Sequence, residues 1–182
     1  MDKPNETDAL PKPLDGWRAL LRDLAQMVRF YSRIPMGRLP FETEAHAIPD
    51  FRTAPRLLPL AGLIIGLPGA IILWGGLSLG LPPLVASVIA VAAAVLISGA
   101  LHEDGLADTF DGLGGGWSRE RRLEIMKDSR IGSYGAAALV LSLLVRTVAL
   151  AALAERSGSG TAAAMMLAAA AWSRTIGLTP LM

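Results

Sequence analysis

Long apolar runs separated by short polar segments dominate this chain from residue 57 onward. Residues 57–80 and 84–101 contain no charged side chain, and residues 134–154 and 161–181 each contain one, an arginine. A helix needs about 20 predominantly apolar residues to cross the hydrocarbon core of a bilayer. The pattern therefore predicts an all-α polytopic membrane helix bundle, over residues 57–182, with about four transmembrane helices.

The N-terminal third has a different pattern. Residues 1–14 form a polar tail without the apolar segment of a signal peptide. From residue 15 apolar side chains recur at helical spacing, and charged side chains take the opposite face. The apolar positions are Trp17, Leu20, Leu21, Leu24, Met27, Val28 and Tyr31, and the charged ones are Arg18, Arg22, Asp23 and Arg29. We expect an amphipathic helix that ends before Pro35, followed by a proline-broken linker to residue 56.

Two environments suit this amphipathic helix. Aromatic residues on its apolar face and arginines on its polar face are typical of a helix at a membrane interface. Packing against other helices of the protein is an equal alternative, and both environments can apply to the same helix. In the first apolar run, Gly62 and Gly66, and then Gly76 and Gly80, form GxxxG pairs that predict close approach of another helix.

Composition supports the membrane assignment and narrows the chemistry. The chain has 52% hydrophobic and 18% charged residues, a net charge of +1 and no cysteine. Without a basic field, nucleic acid is not expected as a partner. His46 and His102 lack metal-ligand spacing, so any metal must be bound mostly by oxygen.

The positive charges predict the orientation. Residues 1–56 hold nine of the seventeen Lys and Arg residues, and the segment 102–133 holds five. Positive residues favour the cytoplasmic side. We therefore expect residues 102–133 to form a cytoplasmic catalytic loop, in contact with lipid head groups.

Three aspartates in this segment share one helix face. Asp104, Asp108 and Asp111 stand at i, i+4 and i+7, within an arc of about 60°. Such a stripe destabilises a helix by itself, so a positive partner is expected. A hard divalent cation, Mg²⁺ in particular, is the usual partner of clustered carboxylates.

A basic, glycine-flanked segment follows. GLGGG at 112–116 lacks the strand and GK[ST] context of a nucleotide loop, so we interpret it as a hinge. Ser118 is placed to cap a short helix over residues 119–128. Lys127, Ser129, Arg130 and Gly132 then precede the third span and predict an anion site at its N-terminus. Asp128 could add a fourth carboxylate to the stripe, and the basic residues are equally typical of a lipid anchor.

Two arginines lie inside apolar spans. Arg146 and Arg174 are costly at that depth unless each pairs with an acid or a phosphate. We interpret His102 as a structural histidine and Glu103 as a neighbour of the carboxylate stripe. Carboxylates for a metal and cations for phosphate, together at one membrane face, indicate metal-assisted phosphoryl transfer.

Two blocks carry a family resemblance. HEDGLADTFDG at 102–112 and RRLEIMKDSRIGSYG at 121–135 resemble the cobalamin synthases, integral membrane adenosylcobinamide-GDP ribazoletransferases. FYSRIPM at 30–36, LPLAGLIIG at 58–66 and WSR at 172–174 extend the similarity. Family members continue past this last segment with further apolar helices, which leaves open whether this chain is a C-terminally truncated form.

The resemblance implies a reaction, a cofactor and a location. α-Ribazole or its 5′-phosphate attacks adenosylcobinamide-GDP through its 5′ hydroxyl, with Mg²⁺, at a bacterial inner membrane, and GMP is released. Asp104, Asp108 and Asp111 would be metal ligands, and Asp128 a further ligand or the acceptor of the hydroxyl proton. Lys127, Arg130 and Arg174 would contact the diphosphate. The candidate catalytic carboxylates are thus Asp108, Asp111 and Asp128, and a homo-oligomer stays open.

Two other functions remain as alternatives. The motif also resembles, more distantly, that of the CDP-alcohol phosphotransferases, although Asp108 stands where those lipid enzymes carry an arginine. A small transporter component could use the carboxylates and Arg146 for ion coupling, but transporter sites usually lie near the membrane midplane.

Overall fold

The computed structural model describes residues 15–42, 44 and 47–176, and all regular elements within them are helical. A short 3₁₀ helix, Ala54–Leu57, precedes the second α-helix. The α-helices are α1 (Gly16–Tyr31), α2 (Leu58–Ser78), α3 (Pro83–Ser98), α4 (Leu101–Gly115), α5 (Arg119–Met126) and α6 (Ser133–Ile176). The predicted all-α bundle is confirmed; the tail 1–14, His46 and the end of the fourth predicted span lie outside the described residues.

Two stretches of the described chain are long and apolar enough to cross a membrane. They are Ala54–Ser78 and Ser133–Thr175, and α3 with α4 makes a third if the bent pair is counted as one span. The number of four spans therefore stays a prediction. Many large apolar side chains point outward along α6, including Leu141, Leu144 and Val148, as expected for a helix that faces lipid.

Helix α6 reverses direction near its middle. Gly158 has φ 79° and ψ 172°, outside the helical region. Ala154 and Ala162, on either side of it, belong to the same buried cluster with Leu73 of α2. The helix is therefore a hairpin, with a first arm at 133–157 and a second arm at 159–176, where the sequence predicts two spans joined by a loop.

The second predicted span does not run on into the acidic segment. Gly99 and Ala100 both have positive φ, of 66° and 59°, and α4 leaves α3 at an angle of 88°. The backbone N–H of Arg33 donates to the carbonyl of Ile97 at 2.7 Å. This bond satisfies one of the carbonyls at the C-terminal end of α3 that have no partner within the helix. Helices α4 and α5 occupy most of segment 102–133, in agreement with the helix face predicted for the aspartates and the short helix predicted after Ser118.

Close packing of α2 against the second arm of α6 confirms the first glycine pair. A Cβ at Gly62 would lie 2.6 Å from the carbonyl oxygen of Ala170, and a Cβ at Gly66 would lie 2.6 Å from the Cβ of the same residue. Larger side chains would separate the helices. In the second pair, a Cβ at Gly76 would lie 3.4 Å from the Cβ of Ala86 in α3, whereas one at Gly80 would have no neighbour within 4 Å among the described residues, so only Gly76 forms a helix contact there.

Helix α1 is amphipathic as predicted, and it packs on the bundle through one end. Met27 and Val28 are fully buried in a cluster with Ala61 and Ile65 of α2. Trp17 and Leu20, about two to three turns earlier, are about half exposed. Protein packing and an outward apolar surface thus coexist on this helix.

The charged face of α1 is less exposed than its pattern predicts. Asp23 is 2% exposed and lies 2.9 Å from Arg22 and 3.6 Å from Arg56. Arg29 forms a buried ion pair with Glu42 of the linker at 2.8 Å. These pairs hold the linker against α1, because a buried charge without a partner is strongly unfavourable.

The pair between Arg29 and Glu42 gives a first prediction. Removing one partner of a buried ion pair costs about 3–5 kcal/mol, so Glu42→Gln should lower the thermal unfolding temperature in detergent at pH 7 by several degrees. Glu124→Gln, in an exposed pair with Arg121, is the matched control and should change it little. Equal shifts for the two variants would contradict the assignment.

The same pair also fixes a pH dependence. Burial alone would raise the pKa of Glu42, but hydrogen bonds from Arg29 and the Leu39 amide outweigh it and lower that pKa. Stabilisation by a carboxylate with a lowered pKa is complete above its unfolded value of about 4.3 and is lost as the pH falls through the folded-state pKa. The difference between wild type and Glu42→Gln should therefore shrink below about pH 4.

Candidate active site

The aspartate stripe of α4 is split between two environments. Asp104 is exposed and Asp108 is half-buried, whereas Asp111 is only 9% exposed. The spacing of four and then three residues places the three side chains on one face of α4, but the neighbouring helix α6 covers only Asp111. The three side chains therefore cannot be treated as equivalent.

Asp111 binds the backbone at the start of α6. Its Oδ2 accepts a hydrogen bond from the Gly132 N–H at 2.7 Å, and its Oδ1 accepts one from the Gly135 N–H at 2.8 Å. First-turn amides have no partner within their own helix, and a helix N-terminus favours negative charge. The predicted anion site at this N-terminus is thus filled by the protein's own carboxylate.

This arrangement changes the predicted roles of two residues, Asp111 and Gly132. Asp111 lies away from the cavity lined by the other aspartates, and both its oxygens are engaged, so it acts as a cap that docks α6 on α4. The Gly132 amide, predicted to bind substrate, is bound to Asp111 instead. A Cβ at Gly132 or Gly135 would overlap the Asp111 carboxylate, which explains the glycine at both positions.

The other predicted residues of segment 102–133 do come together. A cavity of about 440 Å³ opens between α4, the end of α5 and the segment that leads into α6. Its charged and polar lining consists of Glu103, Asp104, Asp108, Lys127, Asp128, Ser129 and Arg130. We call it the acidic cavity. Helices α4 and α5 bring its two halves together across about twenty residues of sequence.

Helix α5 positions the basic half as the sequence predicts. Ser118 caps it, since the Ser118 side-chain oxygen accepts a hydrogen bond from the Arg121 N–H at 3.2 Å. Met126, at its end, lies against Gly112 of α4, where a Cβ would meet the Met126 side chain at 2.7 Å. This contact lets α5 lie close enough to α4 for Lys127 to reach the cavity.

Asp128 and Arg130 form a tight pair at the cavity rim. The Arg130 guanidinium donates to both carboxylate oxygens, with the shortest contact at 2.6 Å. Hydrogen bonds from Arg130 lower the pKa of Asp128 to about 2. A carboxylate with so low a pKa is ionised at every physiological pH and is poorly suited to accept the proton of an attacking hydroxyl.

Arg146 and Arg174 line a second cavity, of about 480 Å³, between α2, α3, the start of α4 and both arms of α6. We call it the apolar cavity. Arg146 pairs with Glu103 at 2.8 Å, which confirms that the first intramembrane arginine finds an acid. Arg174 donates from Nη1 to the Ala170 carbonyl at 3.0 Å. Sequence spacing gave no sign of the pair between Glu103 and Arg146, which lie 43 residues apart.

Glu103 belongs to both cavities, and His102 lines only the apolar one. His102 also lies near Tyr31 of α1, with 6.1 Å between ring centroids. This contact places the end of α1 and the start of α4 at the same end of the bundle. The interpretation of His102 as a structural residue remains a prediction.

The donor set suits a hard cation only in part. No group of three or more His, Asp or Glu side chains within the described residues is close enough to hold a metal ion. Mg²⁺, however, is commonly bound by one or two carboxylates, waters and substrate phosphates. Asp104 and Asp108, one helical turn apart, fit that kind of site, whereas Asp111 does not.

Fold and site together define a polytopic all-α membrane protein with an acidic and basic cavity at one end of its bundle. The model of the cobalamin-5-phosphate synthase family matches residues 23–182. The chain therefore belongs to this family.

Curated relatives agree with that assignment. Proteins named adenosylcobinamide-GDP ribazoletransferase share 55% identity with this chain in Azorhizobium caulinodans and 51% in Xanthobacter autotrophicus. The matches cover 87% and 79% of this chain but 60% and 54% of the relatives, so the chain spans somewhat more than half of their length. No solved structure matches the chain.

The cap formed by Asp111 gives a second prediction. Gly135→Ala should destabilise the protein, because its Cβ would displace the Asp111 carboxylate and leave the buried Gly135 amide and the partly buried Gly132 amide unpaired, at about 1–3 kcal/mol for a buried amide. Gly105→Ala in α4 is the control, since nothing lies within 4 Å of an added Cβ there. Alanine favours helix over glycine by about 1 kcal/mol, so the control should be neutral or stabilising in thermal unfolding. A Gly135→Ala variant as stable as that control would refute the cap.

Proposed function

We propose that this chain carries the phosphoryl-transfer site of an adenosylcobinamide-GDP ribazoletransferase. The observation that supports it most directly is the acidic cavity, where Asp104 and Asp108 lie opposite Lys127 and Arg130. Carboxylates that can hold a metal, set against cations that can bind phosphate oxygens, suit a diphosphate substrate. The names of the relatives supply the substrates, adenosylcobinamide-GDP and α-ribazole.

Each polar group of the cavity then has a role. Asp104 and Asp108 would hold Mg²⁺ together with oxygens of the diphosphate, and the ion would neutralise charge on the phosphate groups. Lys127 and Arg130 bind the same diphosphate from the opposite wall. Asp128 orients Arg130 through its two-oxygen contact, and Ser129 lies beside both at the rim.

The bond changes follow from the substrates. A ribose hydroxyl oxygen of the acceptor bonds to the phosphorus on the cobinamide side, and the bond from that phosphorus to the bridging oxygen breaks. GMP leaves with the electron pair, and the hydroxyl proton passes to solvent. In α-ribazole 5′-phosphate the 5′ oxygen is already esterified, so with this acceptor a ribose hydroxyl other than the 5′ hydroxyl has to attack.

The same proposal includes a place in the cell. The excess of Lys and Arg in residues 1–56 and 102–133 supports a bacterial inner membrane protein whose acidic cavity opens to the cytoplasm. Contact between Tyr31 and His102 supports a common side for both segments. Nucleotide substrates are available on that side.

The experiment that tests the function is Mg²⁺-dependent release of GMP. The purified protein in detergent, given adenosylcobinamide-GDP and α-ribazole or its phosphate, should release GMP only when Mg²⁺ is present. No ion gradient should be needed, and CMP should not form from a CDP-alcohol with a lipid acceptor. Absence of GMP release, or release of CMP, would rule out the proposal in favour of another function.

Variants of the acidic cavity give the third prediction. Asp104→Asn and Asp108→Asn should each lower the rate of GMP release by at least about a hundredfold, since each removes a charge that balances the reacting phosphate. Glu120→Gln, an exposed carboxylate in the first turn of α5, should leave the rate unchanged. A wild-type rate in either aspartate variant would remove Asp104 or Asp108 from the site.

A further inference from the structure

The apolar cavity has no part in the chemistry described so far. It measures about 480 Å³, within the range of roughly 300–1,000 Å³ that is typical of small-molecule sites. Most of its wall is aliphatic or thioether, from Ile65 and Val91 on one side to Leu150 and Met166 on the other. Such a wall suits a flat apolar ring, with which methionine sulfur makes favourable contacts.

One end of this cavity is polar and incompletely paired. The Oε2 atom of Glu103 and the Nε of Arg174 are buried without a hydrogen-bond partner among the described residues. A buried polar atom without a partner is unfavourable, so a ligand that pairs with it is favoured. One unpaired acceptor and one unpaired donor thus lie at the same end of the apolar cavity.

Glu103 connects this end to the acidic cavity. Its side chain is 12% exposed and lines both cavities. Its Oε1 is held by Arg146 at 2.8 Å, which fixes the carboxylate in position. A ligand that fills the apolar cavity therefore has its polar end next to the proposed diphosphate site.

We propose that the apolar cavity binds the acceptor nucleoside, with its aromatic base between Val91 and Met166 and its ribose at Glu103 and Arg174. This proposal rests on the proposed function. A ribose hydroxyl donates to Glu103 Oε2, and an oxygen of the ribose or of its phosphate accepts from Arg174 Nε. The corrinoid donor is far too large for this cavity, whereas a ribonucleoside with a bicyclic base matches it.

Matched variants on two helices test this assignment. Ala94 of α3 and Ala169 of the second arm line the apolar cavity, whereas the nearby Ala92 and Ala168 do not. Ala94→Leu and Ala169→Leu each place three further carbons in the cavity. Overfilling a well-defined site is unfavourable, so both should weaken α-ribazole binding by about tenfold or more, which corresponds to about 1.4 kcal/mol or more.

Equilibrium dialysis of α-ribazole against the detergent-solubilised protein measures this directly. Ala92→Leu and Ala168→Leu should bind within about twofold of wild type, because their side chains point outside the cavity. The analogue without the two methyl groups on its base should lose less affinity in Ala94→Leu than α-ribazole does, since it needs less space. Two cavity variants are used so that one unfolded variant does not remove the test.

The outcomes separate this inference from the function itself. If both cavity variants bind α-ribazole like their controls, or if wild type does not bind it, the assignment of the apolar cavity is wrong. Co-purified lipid that is lost from the cavity variants, with α-ribazole binding unchanged, would identify an acyl chain as the occupant and overturn it too. Unchanged GMP release with unchanged acceptor KM in the variants would reject the cavity while the proposed function stands.

Discussion

A single buried carboxylate determines where the two helices that build the site meet. Asp111 accepts hydrogen bonds from two amides at the start of α6. A buried charge is expensive in an apolar bundle, but two N–H donors and the positive end of a helix offset that cost. The contact needs a backbone with no side chain at Gly132 and Gly135, so a short carboxylate and two glycines together form the junction between α4 and α6.

Because of this junction, different faces of α4 line different cavities. Because α4 turns away from α3 by 88°, it crosses the end of the bundle instead of continuing the span. Asp104 and Asp108 then share a cavity with the basic residues that follow α5, while Glu103 reaches Arg146 in the first arm of α6. One helix thus supplies the acidic wall of one cavity and the polar end of another.

Much of this could be predicted from sequence because it depends on local patterns. Apolar runs predict α2, α3 and the two arms of α6, and Ser118 marks the start of α5. The convergence of Asp104 and Asp108 with Lys127 and Asp128 could also be predicted, because the two groups lie close to each other in the sequence. Asp111 could not be separated from its neighbours in this way, since only the amides supplied by α6 distinguish it from Asp108.

Other features depend on contacts that no local pattern encodes. Ala100 adopts a positive φ of 59°, a conformation that alanine does not favour. The residue type at this position therefore does not predict the bend between α3 and α4. The partner of Arg146 lies 43 residues away, although the need for a partner follows from its depth in the membrane. Sequence can therefore predict that an intramembrane charge is paired, but the fold decides with which residue.

At the polar end of the apolar cavity, the charged side chains are only partly paired. Two guanidinium groups and one carboxylate meet there, and Arg146 holds the carboxylate of Glu103. Arg174 forms no ion pair within the described residues, and its Nη1 donates to a backbone carbonyl. One carboxylate does not balance two guanidinium groups, so this end of the cavity keeps a net positive charge in an apolar setting, where attraction to an anion is much stronger than in water. Of the two intramembrane arginines, Arg174 is thus the one placed to meet an anionic or oxygen-rich group.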